Sequence, residues 1–266
     1  MSMPEHRTVT AAVCQFDARR GAVDDNMAAA LGAVFRAADK GADLIVLPEL
    51  WSCGFDNENM AAHAKQSPQL LEQIADEAAK KQVFVAGSLP EAADGHLFNT
   101  CFLIDAAGHI AARYRKIHLF PMMGEDRCFS PGSQAVVCRT PLGNLGLMVC
   151  YDLRFPELAR HLAVNGADII IVCAQWPAPR VAHWDVLLQA RAIENQIFVI
   201  AANRCGTDSD LKFAGHSQMI SPFGEIAADG GSTVGEAVGR LDLSEIQAFR
   251  DRFSTIDERM PAVYEG

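Results

Sequence analysis

The sequence predicts an α/β fold: a four-layer α-β-β-α sandwich made of two structurally similar halves. Two observations carry that prediction. First, four blocks recur in the same order: VTAAVC (Val9–Cys14) with LGLMVC (Leu145–Cys150), GADLIVL (Gly41–Leu47) with GADIIIV (Gly166–Val172), QVFVAG (Gln82–Gly87) with QIFVIA (Gln196–Ala201), and LIDAAGHIAA (Leu103–Ala112) with MISPFGEIAA (Met219–Ala228). One such pair could arise by chance; four collinear pairs imply equivalent halves. Second, each half reads strand–helix–strand–helix–strand–hairpin, which makes a sheet covered by helices on one face. The two bare faces then have to bury each other. No Pro/Gly/Ser-rich linker separates the halves, so residues 1–266 are read as one domain.

The elements follow in order. Val9–Cys14 is an apolar run of strand length. Asp24–Lys40 is a helix: Asp24 and Asp25 suit its start, alanine-rich turns propagate it, and Lys40-Gly41 suits its end. Leu44–Leu47 is a second buried strand and runs into Pro48-Glu49. Gln69–Lys81 is helical, with Leu70, Leu71, Ile74 and Ala78 on one face. Val83–Gly87 is a strand, and Thr100–Asp105 pairs with His109–Arg115 across an Asp-Ala-Ala-Gly turn. In the second half Leu145–Val149 is a strand that stops at Cys150, and Pro156 suits the first turn of the next helix. From Leu243 a short helical pattern gives way to an irregular tail.

Composition narrows the function. Half of the 266 residues are hydrophobic, enough for a sizeable core, and the formal charge of −10 disfavours a nucleic-acid groove or an anionic membrane surface. The eight cysteines form no C-x-x-C pair and several lie inside apolar runs. No signal-peptide pattern and no apolar run near the ~20 residues of a membrane span is visible. Free thiols in a reducing cytoplasm are therefore expected. The eight histidines are scattered without metal-ligand spacing, so no metal is expected.

Three polar residues stand at the ends of apolar strands, where a core would not leave them unpaired: Glu49, Lys116 and Cys150. Cys150 lies at a strand-to-helix turn, a setting that exposes a thiol, lowers its pKa and favours the thiolate. In the repeat, Cys150 corresponds to Cys14 and Glu49 falls opposite Ala174, so strand ends of both halves are expected to meet at one edge. A carboxylate, an ammonium and a thiol together can run nucleophilic acyl chemistry. His118, two residues beyond Lys116, offers a rival Cys–His pairing.

These residues sit in LPE (Leu47–Glu49), YRKIH (Tyr114–His118) and CYDLRFPE (Cys150–Glu157). In that order they resemble the three catalytic motifs of the nitrilase superfamily of carbon–nitrogen hydrolases. The likeness extends through GADIIIV, ARAIENQIFV (Ala190–Val199), Gly215–Gly224 and the terminal ERMPAVY. It implies an α-β-β-α sandwich that forms a homodimer or higher homo-oligomer through a helical face. It also implies Glu49 as general base and then acid, Lys116 as oxyanion cation, and Cys150 as nucleophile. The backbone N–H of Tyr151 would be the second oxyanion donor, and Glu125 would orient Lys116 and the substrate amide.

Nitrile-hydrolysing relatives show Cys-Trp-Glu, whereas this chain has Cys150-Tyr151-Asp152. The Tyr-Asp-x-Arg-Phe-Pro-Glu form resembles the omega-amidase and Nit-type branch. The implied reaction is cofactor-free hydrolysis of the terminal amide of a 2-oxo-dicarboxylic monoamide, such as 2-oxoglutaramate or 2-oxosuccinamate, through a cysteine thioester with ammonia release. A carboxylate on such a substrate calls for an arginine fork, for which Arg154 and Arg180 are the candidates, with Trp176 as a pocket wall. The alternatives are an N-carbamoyl-amine or aliphatic amide hydrolase and, from another class, a non-catalytic binding protein on the same fold.

Overall fold

Residues 7–208 and 211–264 are described by the computed structural model. The first half runs β1 (Thr8–Gln15), α1 (Val23–Asp39), β2 (Leu44–Val46), α2 (Met60–Lys81), β3 (Phe84–Ala93), β4 (His96–Ile104) and β5 (Ile110–Arg115). A one-turn helix α3 (Glu125–Cys128) and strand β6 (Val137–Thr140) lead into the second half. There β7 (Gly143–Val149), α4 (Pro156–Val164), β8 (Ile169–Ala174), α5 (Val181–Asn195) and β9 (Phe198–Asn203) follow one another. Next come a small hairpin of β10 (Cys205–Asp208) and β11 (Leu211–Ala214), then β12 (Gln218–Ile220) and β13 (Ile226–Asp229). Strand β14 (Gly235–Asp242) and helices α6 (Ser244–Arg250) and α7 (Pro261–Tyr264) close the described chain.

The repeat in the sequence is a repeat in topology. One sheet has the order β14-β1-β2-β3-β4-β5 and the other β6-β7-β8-β9-β12-β13. In both, the second, third and fourth strands pair in parallel and the remaining neighbours are antiparallel. Helices α2 and α5 end the same way, on Gln82 (φ 56°) and Gln196 (φ 53°), the first residues of the matching QVFVAG and QIFVIA blocks. A left-handed residue there lets its own N–H close the last turn on carbonyls three and four residues back.

Strand alternation produces the layers. Val9, Ala11 and Val13 of β1, with Leu44 and Val46 of β2, join the core shared with the second sheet. Their alternates Ala12, Cys14, Ile45 and Leu47 pack with Met27, Ala30, Val34 and Ile74 of α1 and α2. Across the sheet interface Cys101 of β4 and Cys173 of β8 bring their sulfurs to 3.8 Å as free thiols. The α-β-β-α sandwich predicted from the repeat is the observed fold.

Helix α2 departs from expectation. It begins at Met60, not near Gln69, and carries Pro68 inside it. Met60, His63, Ala64 and Ser67 are buried and continue the apolar face of Leu70, Ile74 and Ala78, so tertiary burial outweighs the hydrogen bond the proline forfeits. No helix among the described residues is long and apolar enough to cross a membrane.

Candidate active site

Three strand ends converge on one point. Past β2 the backbone turns at Leu50 (φ 40°), whose N–H donates to Ser88 Oγ at 2.8 Å, and Glu49 is held just before that turn. Past β5, the Lys116 N–H donates to the Asn99 carbonyl (2.9 Å) and the Lys116 carbonyl accepts from the Gly132 N–H (2.8 Å). Gly132 is required here, because a Cβ would run into the Arg115 carbonyl. Past β7, Cys150 takes φ 47°, a left-handed conformation costly for a residue with a side chain, and opens the 3₁₀ turn Cys150–Arg154. Asp152 fixes that turn: its carboxylate accepts from the Val149 N–H (2.9 Å), the Tyr114 hydroxyl (2.7 Å) and the His118 N–H (3.0 Å).

The polar cluster beneath the thiol is fully buried. Lys116 Nζ donates to Glu49 Oε1 at 2.8 Å and to Glu125 Oε1 and Oε2 at 2.9 and 2.6 Å. The side chains of all three residues are 0% exposed, so these are low-dielectric contacts. Glu125 is further tied by the Phe120 N–H (2.8 Å) and Glu49 by the Gln175 N–H, which donates to Oε2 at 3.0 Å. The Gln175 side chain donates to the Glu49 carbonyl (2.7 Å) and accepts from Arg204 Nη1 (2.9 Å), while Arg204 Nη2 donates to Asp17 (2.7 Å). A continuous chain of partners thus runs from Asp17 to Glu49.

Burial sets the electrostatics, and it overturns one expectation. Cys150 is buried rather than exposed at its turn, and its pKa is raised well above the ordinary thiol value. Desolvation is the largest cause and Glu49 adds to it, while Lys116 opposes both. Burial thus favours the thiol form of Cys150 and not the preformed thiolate that a strand-to-helix turn suggests. Glu49 is raised as well, by desolvation against the opposing Lys116 charge, with Glu125 adding to the rise. Burial alone would lower the Lys116 ammonium, but Glu125 and Glu49 reverse that and hold it protonated. A buried thiol beside a carboxylate of raised basicity is an arrangement in which the proton moves when attack begins.

Glu49, Lys116, Glu125 and Cys150 are brought together as the motifs suggested. His118 is not part of this group: its Nδ1 lies 2.8 Å from Asp152 Oδ1 and its ring stacks on Phe155 at 3.6 Å. Its neighbours make it part of the support for the Cys150 turn. Tyr151 is the second residue of that turn, within the first residues whose N–H groups lack partners inside the turn itself, and its ring packs against Phe120 at 4.9 Å.

Above the cluster lies a pocket lined by Lys116, Cys150, Tyr151, Arg154, Trp176 and Arg180, with Phe55, Phe120 and Met123 on its walls. The Arg154 guanidinium sits 4.6 Å over the Trp176 ring, and that of Arg180 lies 5.7 Å from the Phe120 ring. Neither forms an ion pair among the described residues; Arg154 meets His183 and Arg180 meets Met122. Trp176 is 3% exposed and donates its Nε1–H to the Arg180 carbonyl at 2.8 Å, so it is both packed wall and loop anchor. No group of three or more His, Cys, Asp or Glu is placed to hold a metal among the described residues.

Sequence reasoning missed Asn99, Gln175 and Asp152 as parts of the site. Each left a trace: Asn99 is a polar residue in the apolar run LFNTCFLI, Gln175 follows β8 next to the Ala174 that opposes Glu49, and Asp152 lies inside the cysteine motif.

Comparison with known proteins places the chain in a family. The family model for carbon-nitrogen hydrolases matches residues 10–251. A 2-oxoglutaramate amidase of Bacillus subtilis is 36% identical over 257 residues, covering 96% of this chain and 99% of that protein. A carbon-nitrogen hydrolase of Helicobacter pylori superposes with a TM-score of 0.92 at 26% identity, over 98% of each chain. An amidase mutant from Nesterenkonia sp. AN1 matches with a TM-score of 0.88 at 27% identity, over 100% of this chain and 98% of that one. That amidase carries the acetamide moiety of fluoroacetamide covalently added at its active-site cysteine. The buried Glu–Lys–Cys cluster is thus set in a familiar frame, and the chain belongs to the carbon–nitrogen hydrolase family, as an amidohydrolase of the nitrilase superfamily close to its omega-amidase, or Nit-type, branch.

Proposed function

We propose that this chain is an omega-amidase that hydrolyses the terminal amide of a small 2-oxo-dicarboxylic monoamide, 2-oxoglutaramate or 2-oxosuccinamate. The observation that carries the reading is a buried thiol above a Glu49–Lys116–Glu125 cluster, in a pocket where Arg154 and Arg180 have no carboxylate partner among the described residues. Two arginines without an ion-pair partner among the described residues, beside a nucleophile, suit a substrate that brings its own carboxylate. The 36% identity to a 2-oxoglutaramate amidase supports the same substrate class.

In this reading Glu49 takes the proton of Cys150 as the sulfur attacks the amide carbon. Lys116 and the Tyr151 N–H hold the resulting oxyanion, each such donor contributing about 10²–10³ in rate. The carbon–nitrogen bond breaks, the nitrogen takes the proton from Glu49, and ammonia leaves a Cys150 thioester. Glu49 then takes a proton from water, which attacks the thioester carbon; the carbon–sulfur bond breaks and the thiolate recovers the proton. Glu125 keeps Lys116 in place, and Trp176 walls the pocket. The whole chain acts as one domain without a cofactor, in the cytoplasm, as a homodimer or higher homo-oligomer.

The test is ammonia release from a panel of 2-oxo-acid amides, simple aliphatic amides and N-carbamoyl compounds, with mass spectrometry of Cys150. Release confined to 2-oxo-acid amides with a trapped thioester is the expected result. Preference for carbamoyl compounds or plain amides would replace the substrate assignment. No release and no adduct would mark a binding protein.

A further inference from the structure

Asn99 lies at the middle of the buried cluster and has no role in the scheme above. Its Nδ2 donates to Glu49 Oε1 at 2.8 Å and to Glu125 Oε1 at 2.9 Å, the same two oxygens that receive Lys116 Nζ. Its Oδ1 is buried without a hydrogen-bond partner among the described residues. Turning the amide over would set that oxygen against two carboxylate oxygens, so the chemistry of the neighbours fixes the orientation.

Counting lone pairs gives the amide a purpose. A carboxylate oxygen has two in-plane acceptor sites. Glu49 Oε1 has both taken, by Lys116 and Asn99, whereas among the described N–H donors Oε2 receives the Gln175 N–H alone, and the Cys150 thiol also hydrogen-bonds this carboxylate. The open site on Glu49 is thus on Oε2. We propose that Asn99 is a positioning residue that fills the second acceptor site of Glu49 Oε1 and thereby directs the Cys150 proton to Oε2. This rests on the reading of Glu49 as the base. Asn99 also helps to keep Glu49 ionised: with one ammonium shared by two buried carboxylates, a neutral donor bridging both oxygens favours the charged form of each. The titratable groups acting on Glu49 are Lys116, Glu125 and Cys150, with Cys173 nearby and Arg204 behind Gln175.

The experiment is the pH profile of kcat/KM for the parent, Asn99→Ala and Asn99→Ser, together with the pH dependence of Cys150 alkylation by iodoacetamide. Loss of the donor should move the acid limb of both profiles upward by about one pH unit or more, a tenfold or larger loss at a pH on that limb. The plateau rate at high pH should fall less. Near-ultraviolet circular dichroism separates misfolding from this effect, because a misfolded fraction lowers amplitude without moving the midpoint. Folded variants with unmoved acid limbs in both assays would overturn the assignment. Silence of the parent enzyme on every amide would instead strike at the proposed function and leave the alkylation profile to judge Asn99.

Discussion

Cys14 and Cys150 end matching blocks of one repeat, yet they have opposite surroundings. Strand β1 continues through Cys14, which stays in the ladder opposite Glu236 and turns its sulfur toward the Ala33 carbonyl of α1. Strand β7 stops at Val149, and Cys150 leaves the ladder with φ 47°. Burial raises both thiols, so basicity alone does not separate them. What separates them is where their charged neighbours lie: Glu49 and Lys116 are buried beside Cys150, while Glu236, Arg36 and Lys40, which act on Cys14, pair with one another and both cations are solvent-exposed. The ends of β2 and β8 differ in the complementary way. One carries Glu49 and the other Ala174-Gln175, and they clasp each other, the Glu49 N–H donating to the Ala174 carbonyl at 3.4 Å and the Gln175 N–H returning to Glu49 Oε2. Divergence at matching strand ends, completed by Lys116 past β5 and Glu125 of α3, builds the site on a repeated frame.

The largest expected effect tests that contrast directly. Cys150→Ala should abolish ammonia release and the thioester adduct, a loss of about 10⁴-fold or more. Cys14→Ala should leave kcat/KM within about twofold and cost about 1 kcal/mol of stability in urea unfolding. Equal losses from both would end the distinction.

Lys116→Met comes next. It removes the ammonium from between two buried carboxylates and should cost about 3–5 kcal/mol of stability as well as acylation. His118→Ala, which touches Asp152 and not the cluster, should retain acylation; the reverse ranking in a single-turnover assay would reassign the base.

A third measurement concerns pH. As the proposed base, Glu49 would have to be ionised to take the thiol proton, and desolvation raises it, so kcat/KM should fall on acidification at a midpoint above the ordinary carboxylate range. A midpoint within that range would mean a wetter, better solvated base.

The smallest effect returns to the frame. Exposed Gln82 at the end of α2 should gain about 0.5 kcal/mol on Gln82→Gly, since glycine relieves the left-handed strain. The matching Gln196→Gly should show no gain, because that side chain donates to the Phe253 carbonyl at 2.9 Å and accepts from the Thr255 N–H at 3.0 Å. Thermal unfolding of the two variants compares them.

Much of this was legible in the chain, for identifiable reasons. Collinear apolar blocks report strand order, because buried parallel strands admit little but Val, Ile, Leu and Ala. Glu49, Lys116 and Cys150 stood out as polar residues at the ends of such blocks. Asn99 did not, because one amide in a strand resembles any buried polar residue until its partners from three other segments are known. The state of the thiol was misjudged for a related reason: a local turn implies a positive environment, whereas desolvation is a property of the whole packed site. Helix α2 extends past its local pattern: Pro68 is a local stop signal, whereas the buried face N-terminal to it is a tertiary one.

One feature of the sheets bears on how the chain comes to be folded. The outer neighbour of β1 is β14, pairing Val13 with Ala237 and Thr8 with Asp242. During synthesis β1 therefore waits for β14, which lies more than 200 residues further along, before its outer edge is closed. Until then the nascent chain presents a free apolar edge, the kind of surface that recruits stray strands. Contacts this distant in sequence slow folding through the loop they must close, and they make truncation at the C-terminal side a lesion of the N-terminal sheet. Removing residues 235–242 should thus send the protein to aggregates rather than to a trimmed enzyme.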